Sequence, residues 1–277
     1  MKIRLKTLSR KIATYLVLIA ICIVLLFPIY WAIAVSLMRR VDIITWPPKL
    51  VPPNPTLKNY MWIFEYTTIP MGMRNSLIVA SSTAILTLIL AAFAAYALAR
   101  FNIKGKQHIE YWILTTRMMP VVSVVIPFYM IWRILNLYDT LFALVITYTA
   151  LNLPFAIWLL KGSFEGVPRE VEEAAIVDGC SPLQIFFKIS LPLSAPGLLI
   201  TIIFTFIVCW NEFFMAFVLT ARSQTLTVTI ASFMTHGLEL KWGEMAAAGV
   251  IGMLPGICFA PLIRKYLILG LIGYRKG

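Results

Sequence analysis

Six stretches of this chain, approximately 13–37, 75–99, 111–132, 141–160, 198–219 and 245–263, are each apolar enough to cross a bilayer. A span needs about 20 mainly apolar residues, and this requirement leaves little freedom in the fold. The composition agrees: 60% hydrophobic residues, 13% charged and a mean hydropathy of +0.86 exclude an ordinary soluble domain. The chain reads as an all-α membrane protein, a single domain over residues 1–277 with six transmembrane helices.

Two of the spans need argument. In the first, Ala32-Ile33-Ala34 looks like a cleavage site. Its apolar run of about 25 residues, however, exceeds the roughly 7–15 of a signal-peptide core, so it reads as a retained anchor. The fifth carries Asn211 and Glu212, and a mid-membrane acid costs about 3 kcal/mol. Fourteen Leu, Ile, Phe and Val residues between 198 and 219 offset that cost, so the span is expected to insert.

Basic residues orient the spans. With the N-terminus inside, 15 of the 24 Lys and Arg residues fall in cytoplasmic segments and 8 outside, Arg117 lying within a span. Both termini are therefore expected in the cytoplasm, and so is the polar stretch 161–196. This topology accounts for the excess of 24 bases over 12 acids. The bases are scattered through short loops, a poor arrangement for binding nucleic acid. Cys22, Cys209 and Cys258 lie in spans and Cys180 in the cytoplasmic loop, so no disulfide is expected. His108 and His236 fall on opposite sides of the membrane, and no metal site is expected.

The stretch 161–196 is patterned as two short helices around a hinge. Val167-Pro168 opens the first, Glu170, Glu172 and Glu173 fill its opening turns, and Gly179 can take the left-handed conformation that ends it. Ser181-Pro182-Leu183-Gln184 has the pattern of a capping box for the second helix, which Pro192 and Pro196 are expected to stop. Five acids against three bases suit an anionic leaflet badly, so a protein partner is the better reading than a helix lying on lipid.

Within the spans, Arg117, Asn152, Asn211 and Glu212 are the polar candidates. They either line a hydrated pathway or only hydrogen-bond to neighbouring helices. Pro28, Pro120, Pro127, Pro154, Pro255 and Pro261 permit kinks, which suit alternate opening but also occur in static bundles. The alanines of the second span allow close helix approach. Between the first two spans, Thr56 is placed to cap a short amphipathic helix that anchors the loop.

The spacing Glu173-Ala174-Ala175, Gly179, Ile189, Leu191-Pro192 resembles the signature of membrane permease subunits of binding-protein-dependent ABC importers, and residues 172–197 match it at every defining position. Thr116 to Pro120, Trp210 to Phe213 and Trp242-Gly243-Glu244 are similar to the carbohydrate, maltose-type branch. The resemblance implies a type I importer permease fold in the cell (inner) membrane. It also implies a second homologous permease, two ATP-binding subunits and an extracytoplasmic sugar-binding protein as partners. Glu173, Ala174, Ala175, Asp178, Gly179, Phe186, Phe187, Ile189, Leu191 and Pro192 would form the ATPase-coupling loop, with Phe186 and Phe187 offering bulk for a pocket. Asn211, Glu212, Asn152 and Arg117 would line a sugar pathway, and Thr235, His236 and Gly237 would reach the binding protein. The C-terminal run Gly270 to Gly277 departs from the family's ending, which leaves a contact between the tail and the ATPases undecided.

No phosphate-binding G-x-x-x-x-G-K-[ST] loop is present and no nucleophilic or paired-carboxylate constellation stands out, so the expectation is no catalysis. ATP and Mg would belong to the partner ATPase, and this chain would carry no cofactor. An ion-driven secondary transporter would instead favour midplane ionisable pairs and an internal repeat. A passive channel or membrane anchor would leave the 161–196 pattern without a purpose.

Overall fold

The computed structural model describes residues 2–232 and 241–273, with side chains for 11–232 and 241–262. Among these residues every regular element is a helix: α1 (Lys2–Ser36), α2 (Arg40–Ile43), α3 (Lys58–Tyr66), α4 (Ile69–Arg100), α5 (Lys106–Arg117), α6 (Val121–Ile134), α7 (Leu141–Glu165), α8 (Arg169–Val177), α9 (Pro182–Ile185), a π turn (Phe186–Ser190), α10 (Leu191–Leu193), α11 (Ala195–Trp210), α12 (Phe214–Leu219), α13 (Leu226–Ser232) and α14 (Trp242–Gly273). Four segments are long and apolar enough to cross a membrane unaided: Lys11–Ser36, Ile69–Arg100, Leu141–Glu165 and Trp242–Leu262. Two bent pairs, α5 with α6 at 91° and Pro182–Leu193 with α11 at 75°, raise the number to six if each pair is one span.

The first bent pair falls in the span expected over 111–132, and its break lies at Pro120, one of the prolines expected to permit a kink. Pro120 stands at the N-cap of α6 with extended backbone (φ −61°, ψ 130°). The proline ring disfavours helical geometry in the residue before it, so Met119 cannot carry α5 onward. Pro28, Pro127 and Pro154, by contrast, sit inside continuous helices.

The chain divides into two compact units. In the first, Met1–Pro70 with Ile230–Leu254, the end of α1 is tied to α3: Asn59 Nδ2 donates to the carbonyls of Ser36 and Met38, and Ser36 Oγ bonds to Tyr60 Oη. Gly243 packs so closely on the Asn59 amide that a Cβ would sit 2.6 Å from its nitrogen. The Lys241 ammonium lies 3.8 Å from the centre of the Trp62 ring.

The second unit, Met71–Thr229 with Pro255–Gly277, contains the main core. Ala91, Ala92, Ala95 and Ala99 of α4 are buried with Ala156, Ile157, Leu160 and Phe164 of α7. Small residues suit this contact, because association in lipid depends on close packing rather than on hydrophobic burial. α7 is started by Thr140, whose hydroxyl accepts from Ala143 N at 3.2 Å.

The turn between α6 and α7 is held by Asp139. Its carboxylate accepts three consecutive backbone N–H groups, those of Ala221, Arg222 and Ser223, at 2.8–3.1 Å, and its own N–H donates to Leu219. Its φ of 62° is a conformation that Asp tolerates better than most residues. Burial raises the carboxyl's pKa, but the amides of Ser223, Ala221 and Arg222 and the Arg222 charge outweigh it and leave the value lowered. A lowered folded-state pKa gives stability that is present above the ordinary aspartate value of about 3.9 and is lost as pH falls through the folded value. The Tm of the detergent-solubilised protein should therefore approach that of Asp139→Asn on acidification from about pH 5 to about pH 3. A Tm gap between the two that stays constant over this range would count against the clamp.

Candidate functional site

Residues 161–196 fold as local chemistry requires. α8 ends in a left-handed turn at Gly179 (φ 82°), where Gly179 N donates to Ile176 O and Cys180 N to Ala175 O, the paired bonds of a Schellman cap. Ser181 then starts α9 with both halves of a capping box: its Oγ accepts from Gln184 N, and its own N–H donates to Gln184 Oε1 at 2.8 Å. Pro168 stands one residue before the first helical position, at the N-cap of α8.

Two expectations for the loop need correction. Pro192 does not stop the second helix. The preceding π turn, closed by Leu191 N to Phe186 O, shifts the hydrogen-bond register, so the missing Pro192 N–H is accommodated and the helix runs on to Ser194. Pro196 lies in the first turn of α11, where a proline N–H is not needed. Nor is Phe186 a free group awaiting a partner's pocket. Only 3% exposed, it packs inside this chain against Phe93 at 5.0 Å, Tyr96 at 4.9 Å and Phe164 at 6.1 Å. Phe187 is half exposed and meets Phe93 and Phe186 edge-on.

The loop therefore has an anchored side and a free side. On the anchored side, Ala175, Ile185 and Phe186 are buried, and Glu172 forms a close ion pair with Arg100 of α4, Nε to Oε2 2.8 Å. Ser190 Oγ donates to Glu172 Oε1 at 2.7 Å and Arg100 Nη2 to Val167 O at 2.8 Å. On the free side stand Glu173, Ala174, Asp178, Gly179 and Pro192, with Ile189 and Leu191 partly covered. The tip carries three exposed apolar side chains, Ile176, Val177 (87% exposed) and Leu183. Sequence reasoning missed these three, and it missed Arg100 and Ser190 on the anchored side. The signal for the tip was the pairing of apolar residues on either side of a turn glycine.

A second site lies among the spans. A cavity of about 510 Å³ is lined by Arg117, Asn152 and Glu212 together with Thr116, Tyr148 and an apolar wall that includes Phe128 and Met215. Three of the four polar candidates are thus brought together. Asn211 is not among them: it is exposed, and its Nδ2 donates back to Ile207 O of its own helix. Glu212 sits where α11 breaks. Its carboxylate accepts from Tyr148 Oη at 2.6 Å and from the N–H groups of Met215 and Ala216, which open α12. These hydrogen bonds offset the desolvation of the half-buried carboxyl group, so Glu212 is both a helix-capping group and a wall of the cavity. Arg117 Nη1 donates to Leu151 O at 2.9 Å, and its guanidinium lies 5.6 Å from the Phe155 ring centre. Asn152 Nδ2 donates to Tyr148 O. Thr235, His236 and Gly237 lie outside the described residues.

Among the described residues no cluster of His, Cys, Asp and Glu has the make-up of a metal site. The family described as "binding-protein-dependent transport system inner membrane component" matches residues 87–271. The trehalose/maltose transport system permease protein MalG of Thermococcus litoralis is 36% identical over 94% of this chain and 94% of its own length. The inner membrane ABC transporter permease protein YcjP of Escherichia coli is 34% identical over 96% of each. Among solved structures, a chain of a bacterial ABC transporter that imports the acidic polysaccharide alginate superposes with a TM-score of 0.81. It is 23% identical, and the match covers 93% of this chain and 96% of that one.

Proposed function

The chain belongs to the family of binding-protein-dependent transport system inner membrane components, and on that premise we propose how its two sites work in an ATP-driven sugar importer. As the permease subunit it is a transport component and not an enzyme. It pairs with a second homologous permease, two copies of a cytoplasmic ATPase and an external sugar-binding protein. Both termini and the loop 161–196 face the cytoplasm, in line with the distribution of Lys and Arg. The cargo is a mono- or oligosaccharide, and the ATP and Mg are held by the partner ATPase.

The observation that carries this reading is the two-sided loop. Its anchored side is packed and hydrogen-bonded to α4, whereas its tip offers Ile176, Val177 and Leu183 beside Glu173 and Asp178. Exposed apolar side chains on a rigid turn, flanked by acids, suit a partner cleft with an apolar floor and a basic rim. The cavity supplies what the pathway requires. Arg117 presents donors, the Tyr148–Glu212 pair fixes the wall, and hydroxyl-rich cargo needs such polar groups in an otherwise apolar site.

The test combines topology with assembly. In intact cells and a cysteine-free background, a membrane-impermeant thiol reagent should label a cysteine at Pro53 and not one at Gly162, where an added side chain meets open space. The tagged chain should co-purify with ATPase subunits, and in lipid nanodiscs the complex should hydrolyse ATP faster when the sugar-loaded binding protein is added. Labelling of Gly162→Cys from outside would refute the orientation, and with it the docking loop.

A further inference from the structure

Lys161, at the start of the loop, pairs with Glu110 of α5 and with Glu165. The stretch from Val167 to Ser190 is covalently continuous with α7 and, through Pro182–Leu193, with α11, yet its ion pair and its side-chain hydrogen bond to another helix go to the end of α4. Three separate parts of the loop converge there. Val167, ahead of α8, accepts from Arg100; Glu172 of α8 pairs with Arg100; and Ser190 of the π turn donates to Glu172. The side chains of Arg100 and Glu172 are only 8% and 10% exposed. Nε lies close to the carboxylate without an aligned hydrogen bond, so the contact is an ion pair. One turn and two turns back along α4, Tyr96 and Phe93 pack against Phe186, Phe93 stacked and Tyr96 tilted. A buried ion pair adds little net stability over an apolar pair of the same size, so stability alone does not account for it.

The other end of α4 is fixed just as firmly. Asn75 Nδ2 donates to Gln224 O at 2.9 Å, and Leu226 N donates to Ser76 Oγ at 2.8 Å. Gly72 lies so close to α13 that a Cβ would be 3.2 Å from Leu226 Cα. The segment so held follows directly on residues 221–223, which Asp139 clamps. α4 is thus bonded at one end to the candidate docking loop and at the other to residues 224–226. From Asn75 to Arg100 the separation is roughly 38 Å at about 1.5 Å per residue.

We propose that α4 is the strut that carries movement between the two faces of the membrane, with Arg100, Glu172 and Ser190 as its inner joint and Asn75 and Ser76 as its outer joint. The proposal rests on the docking reading given above. A rigid helix fixed at both ends moves as one body with whatever displaces either end. These residues position and do not touch cargo. When the ATPases displace the loop, the ion pair and the Phe186 contact move the inner end of α4, and Asn75 and Ser76 pull residues 224–226 with it. A loaded binding protein that displaces the outer segment sends the same movement inward.

The experiment uses the whole importer in nanodiscs with its binding protein and reads three quantities: ATPase subunits retained, ATP hydrolysis with and without loaded binding protein, and sugar uptake in vesicles. Glu172→Gln should keep its ATPase subunits and its basal hydrolysis, but lose uptake by about tenfold and lose stimulation by the binding protein. The exchange Arg100→Glu with Glu172→Arg should restore part of both. The double variant Asn75→Ala, Ser76→Ala, far from the ATPases, should show the same loss of stimulation. Wild-type stimulation in either the inner or the outer variant overturns the strut. So does loss of the ATPase subunits from Glu172→Gln, which would make the pair a simple anchor. If single variants at the inner joint fail to insert, the outer pair decides alone. Failure of the docking reading shows separately, as a wild-type chain that retains no ATPase subunits.

Discussion

Replacing Glu173 by Lys should release the ATPase subunits or uncouple them from uptake, while the chain still inserts and folds. Glu173 is exposed on the free side of α8 and makes no ion pair within the described residues, so the substitution should spare the fold. Reversing its charge against a basic rim removes one attraction and adds a repulsion, a cost of about 2 kcal/mol or more at an interface. That is about thirtyfold in affinity. Glu173→Gln should be milder. Gly179→Val reaches the same result by another route. Its φ of 82° is reached by residues with a Cβ at a cost of about 1 kcal/mol or more, and a β-branched side chain suffers most. An added Cβ would meet no atom within 4 Å, so the penalty is one of backbone conformation and not of collision. Gly179→Asn should therefore be tolerated, because Asn accepts the left-handed region. In the Val variant the Schellman bonds of Gly179 and Cys180 open, and Ile176 and Val177 part from Leu183. Uptake, ATPase rate and ATPase co-purification, measured for Glu173→Lys, Gly179→Val and Gly179→Asn, check both arguments. Wild-type values throughout for the Lys and Val variants would remove the basis of the docking loop.

The parts of this site that follow local rules were legible in the sequence. A positive-φ glycine after an amphipathic turn, and Ser181 three residues before Gln184, depend on neighbours along the chain, and both occur as read. The parts that depend on tertiary partners were not. Phe186 looked like a residue for another protein because Phe93, Tyr96 and Phe164, which enclose it, come from α4 and α7. Arg100 looked like a topological marker because nothing local announces that Glu172 and Val167 will meet it. Among the polar span residues, Asn211 and Glu212 are adjacent, yet both lie past the last helical residue of α11, where Asn211 bonds back to Ile207 O and the break turns only Glu212 into the cavity. Prolines were the least legible. Pro120 breaks a span because the residue before it must be extended, whereas Pro192 breaks nothing because the π turn absorbs its missing donor.

The contact between α7 and α11 offers the sharpest steric test. Gly197 faces Ser163 so closely that an added Cβ would overlap the serine hydroxyl and stand 2.6 Å from Ser163 Cβ. Rotating the serine side chain would relieve the first conflict but not the second, because Cβ is fixed by the backbone. A glycine inside a helix costs about 1 kcal/mol relative to alanine, so its presence here answers to the approach of the two helices. Gly197→Val should force α11 away from α7, at the cost of about 1–3 kcal/mol or more typical of overpacking. The displacement would carry Cys209 away from Asn152, now 3.6 Å apart from Sγ to Nδ2, and would open the cavity wall. The expected outcome is a clear fall in Tm in detergent and little assembled importer. Gly197→Ala should show a smaller fall. Adding Ser163→Gly to Gly197→Ala should recover much of the loss, because it removes the Cβ that the new methyl meets, even though it places another glycine in α7. A double variant no better than Gly197→Ala would mean that the damage comes from backbone propensity and not from this contact.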